Sequence, residues 1–180
     1  MFVKEKQILN EVEIKRALMR LAHEIIEKNK GIENLVFIGI KTRGDIIAKR
    51  LVKEIQAIEK ISLPVGALDI TFYRDDIDGK FPKPSAQQTE ISFDIRDKKV
   101  ILVDDVLYTG RSIRAALDEI IDFGRPKYLQ LAVLIDRGHR ELPIQADYIG
   151  KSIQTSIKEE VVVNLKEIDG NDKVILKANE

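Results

Sequence analysis

The stretch that most constrains this chain is Val100-Ile101-Leu102-Val103-Asp104-Asp105-Val106-Leu107-Tyr108-Thr109-Gly110-Arg111-Ser112. An apolar run fit for a strand buried on both faces ends in two acids, and a short loop then opens a helix over about Ser112–Phe123. In open α/β sheets ligands bind beyond the carboxyl ends of the strands. A helix N-terminus at that place presents unpaired N–H groups and the positive end of a dipole, which favours phosphate. Gly110 lets the backbone approach a ligand closely, and Thr109 and Ser112 add hydroxyl donors. Carboxylates repel phosphate, so Asp104 and Asp105 need another task. Accepting hydrogen bonds from ribose hydroxyls, or placing a magnesium ion, fits them. Capping a helix is the simpler task for an acid, but two adjacent acids before Thr-Gly-x-Ser exceed what a cap requires.

The rest of the chain predicts the sheet that this motif needs. Glu11–Lys30 carries Ile14, Leu18, Leu21 and Ile25 on one helical stripe and closes at Gly31. Leu35–Ile40 reads as a buried strand and Asp45–Ile55 as a helix. Leu63–Tyr73, Val100–Val103 and Tyr128–Ile135 read as further strands, with Ala146–Ile149 and Val161–Leu165 as shorter ones. Asp169-Gly170 predicts a closing hairpin. Strands alternating with helices imply an α/β fold with a central, mainly parallel sheet flanked by helices. The 180 residues suit one domain.

Composition narrows the function. There are 30 basic and 30 acidic residues, so nothing marks a general polycation, although a local basic patch is compatible with zero net charge. Without cysteine the chain has no disulfide, thiol nucleophile or Cys-based zinc site. It starts without a signal-peptide pattern and has no apolar run near the ~20 residues of a membrane span, so the expectation is a cytoplasmic protein with no membrane partner.

Two further segments bear on the site. Lys41-Thr42-Arg43-Gly44 follows the first predicted buried strand and precedes a helix, a second junction suited to an anion. Arg74–Ser92 is long and polar, with Asp75, Asp76, Asp78, Gly79, Pro82 and Pro84. A loop of that kind inside a compact domain is either functional or a tolerated, disordered insertion.

The motif from Val100 to Ser112 resembles the 5-phosphoribosyl-1-pyrophosphate (PRPP) signature of type I phosphoribosyltransferases, and it lacks the spacing of a nucleoside-triphosphate P-loop. Over nearly its whole length the chain resembles the bifunctional pyrimidine-operon attenuation regulator and uracil phosphoribosyltransferase (PyrR) family. Arg16–Gly31, Val36–Gly44, Leu68–Asp76, Val100–Leu117 and Gly124–Gly150 carry the likeness, above all Leu131–Pro143. The resemblance implies the type I phosphoribosyltransferase fold and a homodimer or higher homo-oligomer. It also implies two activities. One is magnesium-dependent conversion of uracil and PRPP to UMP and pyrophosphate. The other is binding to the leader of pyrimidine operon mRNA, promoted by UMP or UTP, which favours transcription termination.

By the same resemblance, Lys41, Thr42, Arg43 and Gly44 hold pyrophosphate, and Val106, Leu107, Tyr108, Thr109, Gly110, Arg111 and Ser112 cradle the phosphoribosyl group. Asp104 and Asp105 serve catalysis and the Mg2+ ion. Arg74 lies at the start of the flexible catalytic loop, about residues 74–92, which would close over PRPP and exclude water. Asp136 and Arg137 border the base or form a salt-bridged loop pair. Val161 covers the uracil ring or is an ordinary strand valine.

Arg16, Arg20 and His23 lie opposite the apolar stripe of the first helix and cluster at helical spacing, with Glu27 interrupting them. Such a row is commonly a solvated face, but Arg20 and His23 match positions that family members use for RNA. The chain departs from the pattern at Met19, where a Thr is expected, and at Gln145 and Ile157, where Arg is usual. Each departure removes a contact of the kind on which RNA affinity depends. Two other readings remain: a phosphoribosyltransferase for uracil or a purine without RNA function, and a nucleotide-sensing regulator with little catalysis.

Overall fold

The computed structural model describes residues 4–71 and 88–178. The elements run β1 (Lys4–Leu9), α1 (Glu11–Lys28), β2 (Leu35–Ile40), α2 (Gly44–Glu59), β3 (Val65–Leu68), β4 (Lys99–Leu107) and α3 (Arg111–Phe123). After these come β5 (Tyr128–Asp136), β6 (Tyr148–Ser152), β7 (Glu159–Asn164), α4 (Lys166–Asp169) and β8 (Lys173–Ala178).

Five strands form one sheet in the order β3-β2-β4-β5-β6, and every pairing in it is parallel. All of β2 is buried, as its unbroken apolar run requires. The pleat divides the core in two. Phe37, Ile101 and Val103 face α1 and α2, together with Leu18, Leu21 and Ile55. Val36, Ile38, Val100 and Leu102 face α3, together with Ile113, Ala116 and Ile120. Each large apolar side chain buried this way contributes about 1.5–3 kcal/mol.

Helix α1 begins at a capping box: the Asn10 side chain accepts from the Glu13 amide at 2.9 Å, and the Glu13 carboxylate accepts from the Asn10 amide at 2.8 Å. Its buried face holds Ile14, Leu18, Leu21 and Ile25, the predicted stripe.

The structure changes several sequence expectations. Strand β4 does not stop at the acids but continues through them to Leu107, with Asp104 opposite Val133 and Leu107 opposite Asp136 on β5. Among its described residues the Leu63–Tyr73 run yields only β3. Asp69 ends it, because its carboxylate accepts from the Thr71 amide at 2.9 Å and closes a local turn. Tyr73 lies outside the described residues. A second, three-stranded sheet, β1-β8-β7, is antiparallel, and β1 is the strand in it that no sequence pattern marks. The Asp169-Gly170 connection does join the antiparallel pair β7 and β8, but it contains the helical turn α4, closed by Gly170 at φ 76°. Arg50 of α2 anchors the hood formed by β7, α4 and β8 through hydrogen bonds to both carboxylate oxygens of Asp172, each 2.8 Å, and an ion pair with Glu167. Among the described residues no helix is long and apolar enough to cross a membrane.

Candidate active site

The sheet order places a topological switch between β2 and β4: the chain passes from β2 to β3 on one side, then returns to β4 on the other. Ligands bind at such a crevice, beyond the strand ends. Both anion-suited loops open there, 41–43 after β2 and 108–110 after β4.

Two glycines make the convergence possible. A Cβ on Gly39 would lie 2.3 Å from the Asp45 Cα and from the Gly44 carbonyl oxygen, so only glycine lets α2 begin against the end of β2. A Cβ on Gly44 would lie 2.4 Å from the Val103 carbonyl oxygen and 3.0 Å from the Asp104 Cα. The loop of Lys41 and Arg43 is thus pressed against the strand that carries the acids. The Lys41–Thr42 peptide is cis.

Beyond β4, a cavity of about 340 Å³ is lined by Asp104, Val106, Leu107, Tyr108 and Thr109, then by Gly110, Arg111, Ser112, Ile113 and Glu141. Gly110 caps α3 at φ 92°, a left-handed conformation that favours glycine. The start of α3 therefore opens into the cavity beside the Thr109 and Ser112 side chains. The Thr109 carbonyl accepts from the Glu141 and Leu142 amides at 2.9 and 3.2 Å, which fastens the loop after β5 over this cradle. Glu141 also pairs with Arg111 at 2.6 Å.

The two acids are held separately. The Asp104 carboxylate accepts from the Asp105 amide at 2.9 Å, and that of Asp105 accepts from the Val106 amide at 2.8 Å. Asp104 lines the cavity. Burial pushes the Asp105 carboxyl up, against the opposing pull of the Val106 amide, Asp104 and the Arg43 guanidinium.

Both cations of the first loop are paired. Lys41 donates to the Gln88 carbonyl at 2.6 Å and to Glu90 at 3.0 Å. Arg43 donates to the two Asp169 oxygens at 3.1 and 3.3 Å. Thr42 is exposed and Gly44 buried.

At the end of β5, Asp136 and Arg137 have separate partners. Asp136 forms an ion pair with Arg140 and accepts from the Gly138 amide at 3.0 Å. Arg140 also donates to the Tyr108 carbonyl at 2.9 Å and the Ile144 carbonyl at 2.8 Å. Arg137 is buried, donates to the Ser156 and Glu159 carbonyls, and stacks 4.0 Å above the centre of the Tyr108 ring. These two side chains shape the wall behind Tyr108 rather than project freely. Val161 is half-buried at the margin of the core against α1 and α2.

Arg74 and the segment 72–87 lie outside the described residues. The end of the polar segment is fixed: Glu90 exchanges two backbone hydrogen bonds with Ala67, at 2.9 and 2.7 Å. On α1, Arg16, Arg20 and His23 are exposed as expected. Arg20, however, donates to Glu24 and to the Ile149 and Gly150 carbonyls of β6. The three departures, Met19, Gln145 and Ile157, are also exposed.

Four residues here were not singled out from sequence. Glu141 sits within the Leu131–Pro143 segment, but no spacing marks it as facing the cavity. Glu90 and Asp169 become partners of the loop cations only through the fold, and Arg140 pairs with Asp136 at an i, i+4 spacing that carries no meaning outside a helix.

Crevice, twin anion loops and acid-bearing strand define the class: the phosphoribosyl transferase domain model matches residues 4–168. Solved structures agree on the fold. A hypoxanthine-guanine phosphoribosyltransferase from Bacillus anthracis has a TM-score of 0.71 at 21% identity, covering 99% of this chain and all of that one. A Trypanosoma cruzi hypoxanthine phosphoribosyltransferase has 0.73 at 17% identity, covering 97% of each chain. Sequence relatives place the chain more finely. The bifunctional protein PyrR of Clostridioides difficile is 56% identical over 97% of this chain and 99% of its own. That of Pelotomaculum thermopropionicum is 58% identical over 94% of each. The chain belongs to the PyrR family.

Proposed function

We propose that this chain transfers the phosphoribosyl group of PRPP to uracil, releasing UMP and pyrophosphate, and that it also binds pyrimidine operon leader RNA in response to uridine nucleotides. The observation that carries the enzymatic half is the meeting of a two-cation loop and an acid-bearing strand at one switch point. The α3 N-terminus with Thr109 and Ser112 holds the 5′-phosphate, and Lys41 and Arg43 hold the pyrophosphate. Asp104 accepts from ribose hydroxyls and stabilises positive charge developing on the sugar as the pyrophosphate departs. Asp105 acts beside it through Arg43. Asp136 and Arg137 keep the base side of the crevice in shape through Arg140 and Tyr108. Val161 covers the base, and Arg74 acts from the loop after β3. No covalent nucleophile is required, because the leaving group is already a stable anion.

The donor set suits Mg2+ in a particular way. Among the described residues no three His, Cys, Asp or Glu side chains form a metal cluster. One or two carboxylates plus substrate phosphates are a common coordination for magnesium, and Asp104 and Asp105 supply the protein share. When bound, the ion neutralises the leaving pyrophosphate. A homodimer or larger homo-oligomer belongs to the same proposal.

For the RNA half, the exposed Arg16, Arg20 and His23 row on α1 is the supporting surface. Gel-shift titration with pyrimidine leader RNA, with and without UMP, tests it. UMP-dependent binding is expected, with the salt dependence flattened by about one unit of slope in Arg20→Ala if that guanidinium meets a phosphate. Absence of UMP-dependent binding to any such leader would leave an enzyme without RNA function.

A further inference from the structure

The two cations of the 41–43 loop are neutralised by carboxylates of opposite character. Glu90 has its backbone fixed: it is strapped to Ala67, and the adjacent Thr89 hydroxyl donates to Glu119 at 2.7 Å and accepts from the Asp69 amide at 3.0 Å. Its side chain is nevertheless 65% exposed, whereas that of Lys41 is only 12% exposed. An ammonium has three N–H donors, and Gln88 and Glu90 take two of the Lys41 set. Asp169 is different. Its Oδ2 accepts from the Leu165 amide at 2.8 Å while both oxygens hold Arg43, so its rotamer is locked across the α4 turn.

We propose that Glu90 is a releasable counter-anion of Lys41, swung aside when a pyrophosphate group arrives, and that Asp169 is a positioning residue that keeps Arg43 aimed at the same group. The inference rests on Lys41 and Arg43 binding pyrophosphate. A ligand phosphate carries more charge than a carboxylate and can take the Glu90 position without moving the backbone. Glu90 then turns to solvent, which surrounds it already. Ligand-free, the pair screens the Lys41 charge, so the chain binds pyrophosphate less tightly than its cations alone would allow. Asp169 has no such exit, and removing its charge frees the guanidinium to wander.

The two roles predict opposite signs. Isothermal titration of the full chain with inorganic pyrophosphate and Mg2+ reads them directly. Glu90→Gln and Glu90→Ala should each bind about two- to fivefold tighter, the scale of one exposed ion pair. That gain should shrink in high salt. Asp169→Asn keeps an oxygen for the Leu165 amide but loses the charge. It should bind more weakly and raise the KM for PRPP more than it lowers kcat. Unchanged or weaker binding by both Glu90 variants overturns the counter-anion role. Unchanged binding and KM in Asp169→Asn overturns the positioning role. In either case wild-type binding leaves the pyrophosphate reading intact, whereas a wild type that binds neither pyrophosphate nor PRPP sinks both.

Discussion

Replacing Gly44 by alanine should separate the anion loop from the strand it serves. The added methyl would sit 2.4 Å from the Val103 carbonyl oxygen, whereas ordinary contact begins at 3.4 Å, so the start of α2 and β4 must part by about 1 Å. Neither side yields easily. The Val103 oxygen is backbone within a central parallel strand, and Gly44 opens a helix whose Ile47, Ala48 and Leu51 are buried. Overpacking of this kind costs about 1–3 kcal/mol. For a chain of this size that lowers Tm by about 2–4 °C per kcal/mol. The functional cost is larger, because about 1 Å of misplacement between Arg43 and Asp104 can reduce kcat/KM about 10²-fold. Steady-state UMP formation and a thermal melt on the same preparation measure the two effects. Gly138→Ala is the control: its φ is 74°, but nothing lies within 4 Å, so it carries backbone strain without a wedge at the crevice. A Gly44→Ala protein with wild-type kcat/KM would refute the close packing of loop on strand as a catalytic requirement.

Arg137→Ala should destabilise the chain by about 1–3 kcal/mol, since it removes the guanidinium donor from the Ser156 and Glu159 carbonyls and uncovers the Tyr108 ring; a denaturant midpoint unchanged from wild type would contradict this. Asp172→Asn tests the hood anchor through pH. Burial alone would raise the Asp172 pKa, but hydrogen bonds from Arg50 and the Lys166 amide prevail and hold it below 3.8. A carboxylate lowered in the folded state adds stability above its unfolded pKa and loses it as pH falls through the folded value. The difference in unfolding free energy between wild type and variant should therefore be full at pH 7, about 1–3 kcal/mol, and fade in acid below the ordinary carboxylate range. A difference that grows in acid would reverse the assignment.

The parts legible in the sequence were those that a local pattern determines. The stripe of Ile14, Leu18, Leu21 and Ile25, the fully apolar Leu35–Ile40 and the strand–loop–helix around Gly110 each speak through a period or a run. Strand β1 did not, because Lys-Glu-Lys-Gln-Ile-Leu is mostly exposed at a sheet edge and gains its structure from pairing with β8, more than a hundred residues away. The sequence pattern ends β4 at the acids, since charge normally stops a buried run. Here the Asp105 and Val106 amides satisfy them within the strand. The counter-ions Glu90 and Asp169 were invisible for the same reason as β1: their partners, Lys41 and Arg43, are brought to them only by the tertiary fold. The bonds of Asp136 to Arg140 and of Arg137 to the Ser156 and Glu159 carbonyls likewise have no signature in the sequence.

The central claim, that the switch-point crevice is a uracil phosphoribosyltransferase site, is tested most directly by following UMP and pyrophosphate from uracil, PRPP and Mg2+. The wild type should form both in equal amounts, and Asp104→Asn combined with Asp105→Asn should lower the rate at least ~10²-fold, the scale of one lost electrostatic contact to the transition state. Turnover of hypoxanthine but not uracil, or a double variant with the wild-type rate, would contradict it.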